Sequence, residues 1–284
     1  LSARVADEER ARLAEASWAL YARDARTVVV DGPLAAGARS RIWRLLAVDR
    51  TGTRLYAVKW FRPRHRSDAE ALANRDAVAA EYAALGSLVQ VLSELASDRY
   101  LLRCPAPVQV WDWGFVMSAV PGRRLDEAVL RQEVPAAEYA HIARGLVRAL
   151  VAFHTAHGGP YGDFHPGNVL LGPACDIYLL DPAPAAGWLS CWAGQPAPPH
   201  LAVDVAYWTY STAVRAVRGS LWHPRTASAF AHLARALTEA ALQVTRDPAL
   251  AGQIERCLAD YWNRLRRTGP PQRALAAAAA RLIR

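Results

Sequence analysis

The chain has 284 residues, 52% of them hydrophobic, and a formal charge of +8. That is enough apolar material for a substantial core, so a disordered chain is excluded and one two-lobed unit or two small domains are expected. The basic surplus is scattered through predicted helices instead of gathered in a tail. Nucleotide phosphates or a solvated Arg-rich surface account for it, and no nucleic-acid partner is expected.

Cys104, Cys175, Cys191 and Cys257 form no CxxC pair, so neither a zinc site nor a disulfide framework is indicated and a reducing, cytoplasmic setting is expected. No apolar run reaches about 18 residues, and the opening segment is too charged for a signal peptide, so no membrane insertion is expected.

Taken in chain order, residues 3–24 carry apolar positions Val5, Leu13, Ala16 and Leu20 between charges, which predicts a leading amphipathic helix. TVVVDGPL, RIWRLLAVD and RLYAVKWF follow with tight connections, predicting a three-strand antiparallel meander. The period turns helical from Ser67 to about Leu92, and PVQVWDW and GFVMSAV predict two more strands divided at Gly114. Helices then dominate: LDEAVL, and AAEYAHIARGLVRALVAFHTAHGG with its stop at Gly158 and Gly159. VLLG and DIYLLD interrupt them as a short hairpin around Gly172 to Asp176, and residues 199–284 supply further helices. The division predicted is 1–27 for the leading helix, 28–120 for a five-stranded antiparallel lobe with one helix, and 121–284 for a mainly α-helical lobe, an α+β fold.

The chemistry concentrates in YGDFHPGNVLLG, residues 161–172. Pro166 and Gly167 forbid a continuous helix, so Asp163 and Asn168 converge from one tight loop, and Asp181 ends the next strand just before Pro182. Two carboxylates and a carboxamide supply hard oxygen ligands for Mg²⁺ and one carboxylate to orient a hydroxyl, the set that phosphoryl transfer needs. An Asx-turn network is the plainer account of Asp163 with Asn168. Against it, the chain holds only three Asn residues, Asn74, Asn168 and Asn263.

Lys59 is the one lysine among 34 basic residues of the Lys and Arg type. A solvated cation is served by either residue, whereas a compact ammonium between phosphates and a carboxylate is not replaceable by a planar guanidinium. Strand alternation puts Tyr56, Val58 and Trp60 on one face of LYAVKWF and Ala57, Lys59 and Phe61 on the other.

V-K on a third strand, a Glu-bearing helix, G-D-F-H-P-G-N, and L-L-D after one more strand resemble the bilobal protein-kinase-like fold, in particular its aminoglycoside phosphotransferase branch of small-molecule kinases. The similarity covers roughly residues 28–210, with LLDPAPAAG as a weaker match to streptomycin-kinase-like members.

The resemblance implies ATP and Mg²⁺ as cofactors, Asp163 as the catalytic carboxylate, Asn168 and Asp181 as metal ligands, and Lys59 on the α- and β-phosphates. Glu70 and Glu81 lie eleven residues apart, three turns along one helix face, so geometry leaves both as partners of Lys59. E-Y-x-A-L at 81–85 resembles the family's helix and favours Glu81.

Gly32 to Arg41, with Gly37 and Ser40, would cover the phosphates, although a plain hairpin explains those residues too. Ser118 to Val120 would form the hinge whose backbone meets adenine, and Asp204 would brace the catalytic loop. Two positions depart from the family pattern: Tyr161 stands where a His is usual, requiring a phenol hydrogen bond or ring packing instead, and Pro182-Ala183 replaces Phe-Gly. His165 has no companion His or Cys at ligand spacing and is expected to be packed and hydrogen-bonded. Trp188, Trp192, Trp208, Trp222 and Trp262 form either a platform for a flat acceptor or helix packing.

The function implied is ATP-dependent transfer of the γ-phosphate to a hydroxyl of a small molecule such as an aminoglycoside, sugar or natural product. The alternatives are a protein Ser/Thr kinase, weakened by a stretch from Asp181 to Asp204 with no Thr and only Ser190, and a noncatalytic ATP-binding module.

Overall fold

The computed structural model describes residues 2–36, 40–61, 68–95, 99–173, 176–183, 199–220 and 224–283. They form two compact units, one of Leu1–Gly86 with Pro105–Val120, the other of Ser87–Cys104 with Pro121–Arg284.

In the first unit, strands β1 (Thr27–Ala36), β2 (Ser40–Asp49), β3 (Gly52–Phe61), β5 (Pro107–Trp111) and β6 (Gly114–Ser118) make an antiparallel sheet in the order β1-β2-β3-β6-β5. Alternation along β3 gives the sheet two distinct faces. Val58 and Trp60 pack with Leu45, Ala47 and Val116 under Leu13, Ala16 and Leu20 of helix α1 (Ser2–Tyr21), a 3-4 spacing that lays one helical stripe on the sheet. Glu9 fixes the angle of α1, accepting from Arg41 Nη1 at 2.8 Å and from Trp43 Nε1 at 2.6 Å. Glu15 accepts from Trp113 Nε1 at 3.0 Å. The leading helix is thus part of the first unit, not a separate segment.

On the other face, Lys59 is paired across the strands with Ile42 and Phe115 and turned toward helix α2 (Asp68–Glu94), where Glu81 and Tyr82 meet it and Phe115.

The segment Gly32 to Arg41 is strand on both sides of residues 37–39: β1 continues through Ala36 and β2 begins at Ser40, with register shifts at Val30/Gly32 and Pro33/Ala35. Gly32, at φ 139°, absorbs the first of these bulges, a conformation that side-chain-bearing residues resist. Gly37 lies outside the described residues. One expectation needs correction: residues 87–104, drawn with the first lobe from sequence, belong to the second unit, where β4 (Leu101–Arg103) pairs in parallel with β9 (Asp176–Leu179).

In the second unit the predicted hairpin of β8 (Val169–Leu171) and β9 is the middle of a four-stranded sheet, β4-β9-β8-β7, with β7 at Arg123–Arg124. Helices α3 (Leu125–Leu130), α4 (Ala136–His157), α5 (His200–Ser220), α6 (Pro224–Thr245), α7 (Leu250–Arg267) and α8 (Pro270–Ile283) make up the rest. Helix α4 stops where Gly158 turns left-handed at φ 73° and donates to His154 O at 3.0 Å. Helix α5 packs against α6, α7 and α8, and α4 against α6.

Candidate active site

In the first unit the sheet buries a charge. Lys59 is 4% exposed and Glu81 6%, and the ammonium donates to Glu81 Oε1. A surface lysine on an edge strand is therefore excluded: β3 is central, and Nζ also lies 5.3 Å from the centre of the Phe61 ring. Burying an ion pair costs desolvation that mutual attraction offsets only with good geometry, so such a pair is weak evidence of a purely stabilising role. The side chain of Glu70 lies outside the described residues.

At the end of β6, Ser118 N–H donates to Ala106 O at 2.8 Å and Ala119 N–H to Leu55 O at 3.0 Å, while Ser118 Oγ accepts from Ala106 N at 2.8 Å. The Ser118 and Ala119 amides of the expected hinge are thus engaged within the unit. Val120 N–H has no backbone partner among the described residues. Ser40 opens β2 opposite Phe61.

In the second unit the loop 161–168 is held from beneath. Asp204, on α5 and fully buried, accepts from Tyr161 N at 2.8 Å through Oδ2 and from Gly162 N at 2.9 Å through Oδ1. His154 Nε2 stands 2.7 Å from the same Oδ2. Gly162 itself has φ 92°, which explains why glycine precedes Asp163.

Tyr161 supplies both of the anchors envisaged for it: its hydroxyl donates to Leu180 O, and its ring packs on Phe153 and Phe164 with centroids 5.6 and 5.3 Å away. Complete burial pushes its phenol well above the usual value, and the charge of Asp181 adds to that, with smaller contributions from Cys104, Asp204 and Asp163. Phe164 in turn stacks on the buried Trp208 at 4.8 Å.

Asn168 closes the loop. Its Nδ2 donates to Asp163 O at 2.9 Å and approaches Asp163 Oδ2 at 3.4 Å, while Leu180 N donates to Asn168 O at 2.8 Å. With its amino side so committed, the carboxamide could meet a cation only through its oxygen. The bond from Leu180 also brings the end of β9, and with it Asp181, beside Asn168. Asp181 has φ 53°, a left-handed conformation that costs an Asp about 1–2 kcal/mol and persists only when its surroundings impose it.

Asp163 is ringed by groups from two elements. Tyr207 of α5 hydrogen-bonds to it, and burial followed by the charge of Asp163 raises the Tyr207 phenol strongly. His165 Nε2 lies 3.7 Å from Asp163 Oδ1. Burial, reinforced by Arg215, lowers the affinity of His165 for a proton, with Asp163 opposing the change.

Tyr207, Arg215 and His154 carry no motif and escaped sequence reasoning. The one available signal was spacing, since Tyr207 follows Asp204 by three residues and so shares its helix face. The tryptophan platform is replaced by packing where it is described: Trp208 lies under the loop, and Trp262 is buried against Tyr210 at 4.9 Å. Trp188, Trp192 and Trp222 lie outside the described residues, as do Cys175, Cys191 and Ser190.

Among the described residues no group of three or more His, Cys, Asp or Glu side chains stands ready to hold a metal. One carboxylate, Asp181, with the carboxamide oxygen of Asn168 would suit Mg²⁺, which takes few protein ligands and fills its remaining positions with water and phosphate oxygens. No described helix is long and apolar enough to cross a membrane.

No protein-family model and no curated protein matches the sequence. Among solved structures, the complex of Rv3197 with erythromycin from Mycobacterium tuberculosis aligns at TM-score 0.43 and 16% identity, covering 70% of this chain. The chain spans about half, 53%, of the length of that protein.

Proposed function

We propose that the chain is an ATP-dependent phosphotransferase whose acceptor is a hydroxyl of a small molecule. The observation that carries this reading is the buried ion pair of Lys59 with Glu81: the one lysine of the sequence is placed at the centre of a sheet, against a helix carboxylate. In the protein-kinase-like fold that the sequence resembles, such a pair holds an ammonium for the α- and β-phosphates.

In the second unit, Asp163 would orient the acceptor hydroxyl, with Asn168 and Asp181 holding Mg²⁺. The metal would supply neutralisation of phosphate charge. The protein's own part is positioning and fixed electrostatics, which is most of what phosphoryl transfer asks of an enzyme. Asp204 supports that role by holding the backbone that carries Asp163, and the strained φ of Asp181 is the kind of conformation that functional sites retain.

Calorimetric titration with Mg-ATP tests the nucleotide half of the reading. The wild-type chain is expected to bind at one site, and Lys59→Met to bind at least tenfold more weakly. A wild-type chain that takes up no Mg-ATP, or a variant that binds as well, removes the proposal.

A further inference from the structure

A chain of hydrogen bonds leads to His165, the neighbour of Asp163, and it begins at a buried carboxylate. Asp126, at the start of α3 and 5% exposed, accepts from Arg124 Nε at 3.1 Å and Nη2 at 2.7 Å, from Arg215 Nε at 3.1 Å, and from Glu127 N at 3.0 Å. Held in this way, Arg215 of α5 brings Nη2 to 3.2 Å from His165 Nδ1. Gly167 N donates to the same ring nitrogen at 3.0 Å.

A guanidinium has no acceptor and a backbone amide only donates, so both contacts require a lone pair on Nδ1. The proton of the neutral imidazole therefore sits on Nε2, the nitrogen facing Asp163 Oδ1 at 3.7 Å. Gly167 must be glycine for this packing: a Cβ there would stand 2.6 Å from Arg124 Nη2 and 2.8 Å from His165 Cε1.

We propose that His165 is a positioning residue for Asp163, fixed by Asp126 and Arg215 in the tautomer that turns an Nε2–H donor toward Oδ1 of the carboxylate. The proposal rests on the phosphotransfer reading. At 3.7 Å the contact is electrostatic, and a modest rotation of the Asp163 side chain, which is 40% exposed, makes it a hydrogen bond. Asn168 Nδ2 and Tyr207 engage the carboxylate as well. Three donors thereby determine the orientation of Asp163, and with it the direction in which an acceptor hydroxyl is held.

Two variants separate this role from a purely structural one. His165→Asn keeps an oxygen where Nδ1 accepts from Gly167 and Arg215 but has no donor at the Nε2 position. His165→Gln reaches that position with an amide N–H and gives up the Nδ1 acceptor.

With the slow hydrolysis of Mg-ATP as the probe, His165→Asn is expected to keep its thermal midpoint and KM while kcat falls roughly ten- to a hundredfold. His165→Gln is expected to melt earlier yet retain more of kcat than His165→Asn. The reverse order of the two kcat values overturns the positioning role and leaves a loop cap.

Long-range ¹H–¹⁵N correlation spectra of the labelled 284-residue chain, with His165 assigned by its disappearance in His165→Asn, read the tautomer without any turnover. An unprotonated Nδ1 beside a protonated Nε2 supports the proposal, and the opposite tautomer overturns it. A wild-type chain that neither binds nor hydrolyses Mg-ATP overturns the phosphotransfer reading and the positioning role together, while the spectrum still decides the tautomer.

Discussion

Replacing Asp204 by Asn tests how the loop is held, since it removes one acceptor while keeping size and shape. Asp204 is fully buried and receives two backbone amides at 2.8 and 2.9 Å as well as His154 Nε2 at 2.7 Å. An Asn offers one oxygen in place of two and turns an NH₂ toward a group that itself donates. A hydrogen bond to a charged group contributes about 1.5–3 kcal/mol net, and a buried donor left dry costs about 1–3 kcal/mol. These overlap as descriptions of one lost contact, so the expected loss is about 2–4 kcal/mol against a total stability of about 5–15 kcal/mol.

With a urea m-value of about 2 kcal/mol/M, the unfolding midpoint should fall by roughly 1–2 M. Amide exchange at Tyr161 or Gly162 should accelerate in the same variant, since whichever amide faces the new NH₂ loses its acceptor. A midpoint within about 0.3 M of wild type, with both amides still protected, would refute the claim that this carboxylate holds the loop.

Two other outcomes follow from the same interactions. Lys59→Met leaves Glu81 buried without its ammonium and should cost about 3–5 kcal/mol, while Lys59→Met with Glu81→Gln should recover a large part of that in urea unfolding. A single variant as stable as wild type contradicts the buried pair.

Burial is the first cause lowering His157 and His200, with the charge of His154 next in both, so the folded protein holds their protons less tightly than the unfolded chain. Stability from these groups is fully present above the unfolded value near 6.5 and is lost as pH falls through the lowered folded values. The unfolding midpoint should therefore decline from pH 7 toward 5, less steeply in His200→Gln, and a midpoint that rises over that range contradicts the assignment.

The parts of the fold legible in the sequence are those with a local cause. The alternation along LYAVKWF is enough to place Lys59 and Trp60 on opposite faces, and the stripe of Leu13, Ala16 and Leu20 is enough to lay α1 on the sheet. The stop of α4 at Gly158 is likewise a local matter of backbone conformation. Strands β4 and β7, of three and two residues, carry no periodicity and exist only because β8 and β9 template them.

Nor was the support of Asp163 legible. Arg215 reaches Asp126 across 89 residues of chain, and only the folded arrangement of α3 and α5 makes those two side chains neighbours.

The most direct test of the central claim is transfer of labelled γ-phosphate from Mg-ATP to a panel of hydroxyl-bearing sugars, aminoglycosides and natural products, run in parallel for the wild-type chain and Asp163→Asn. The wild type is expected to yield a phosphate ester with at least one acceptor, and Asp163→Asn to lose at least about a hundredfold in rate while binding Mg-ATP as before. Equal transfer by the two proteins, or ester formation by neither, would contradict the account.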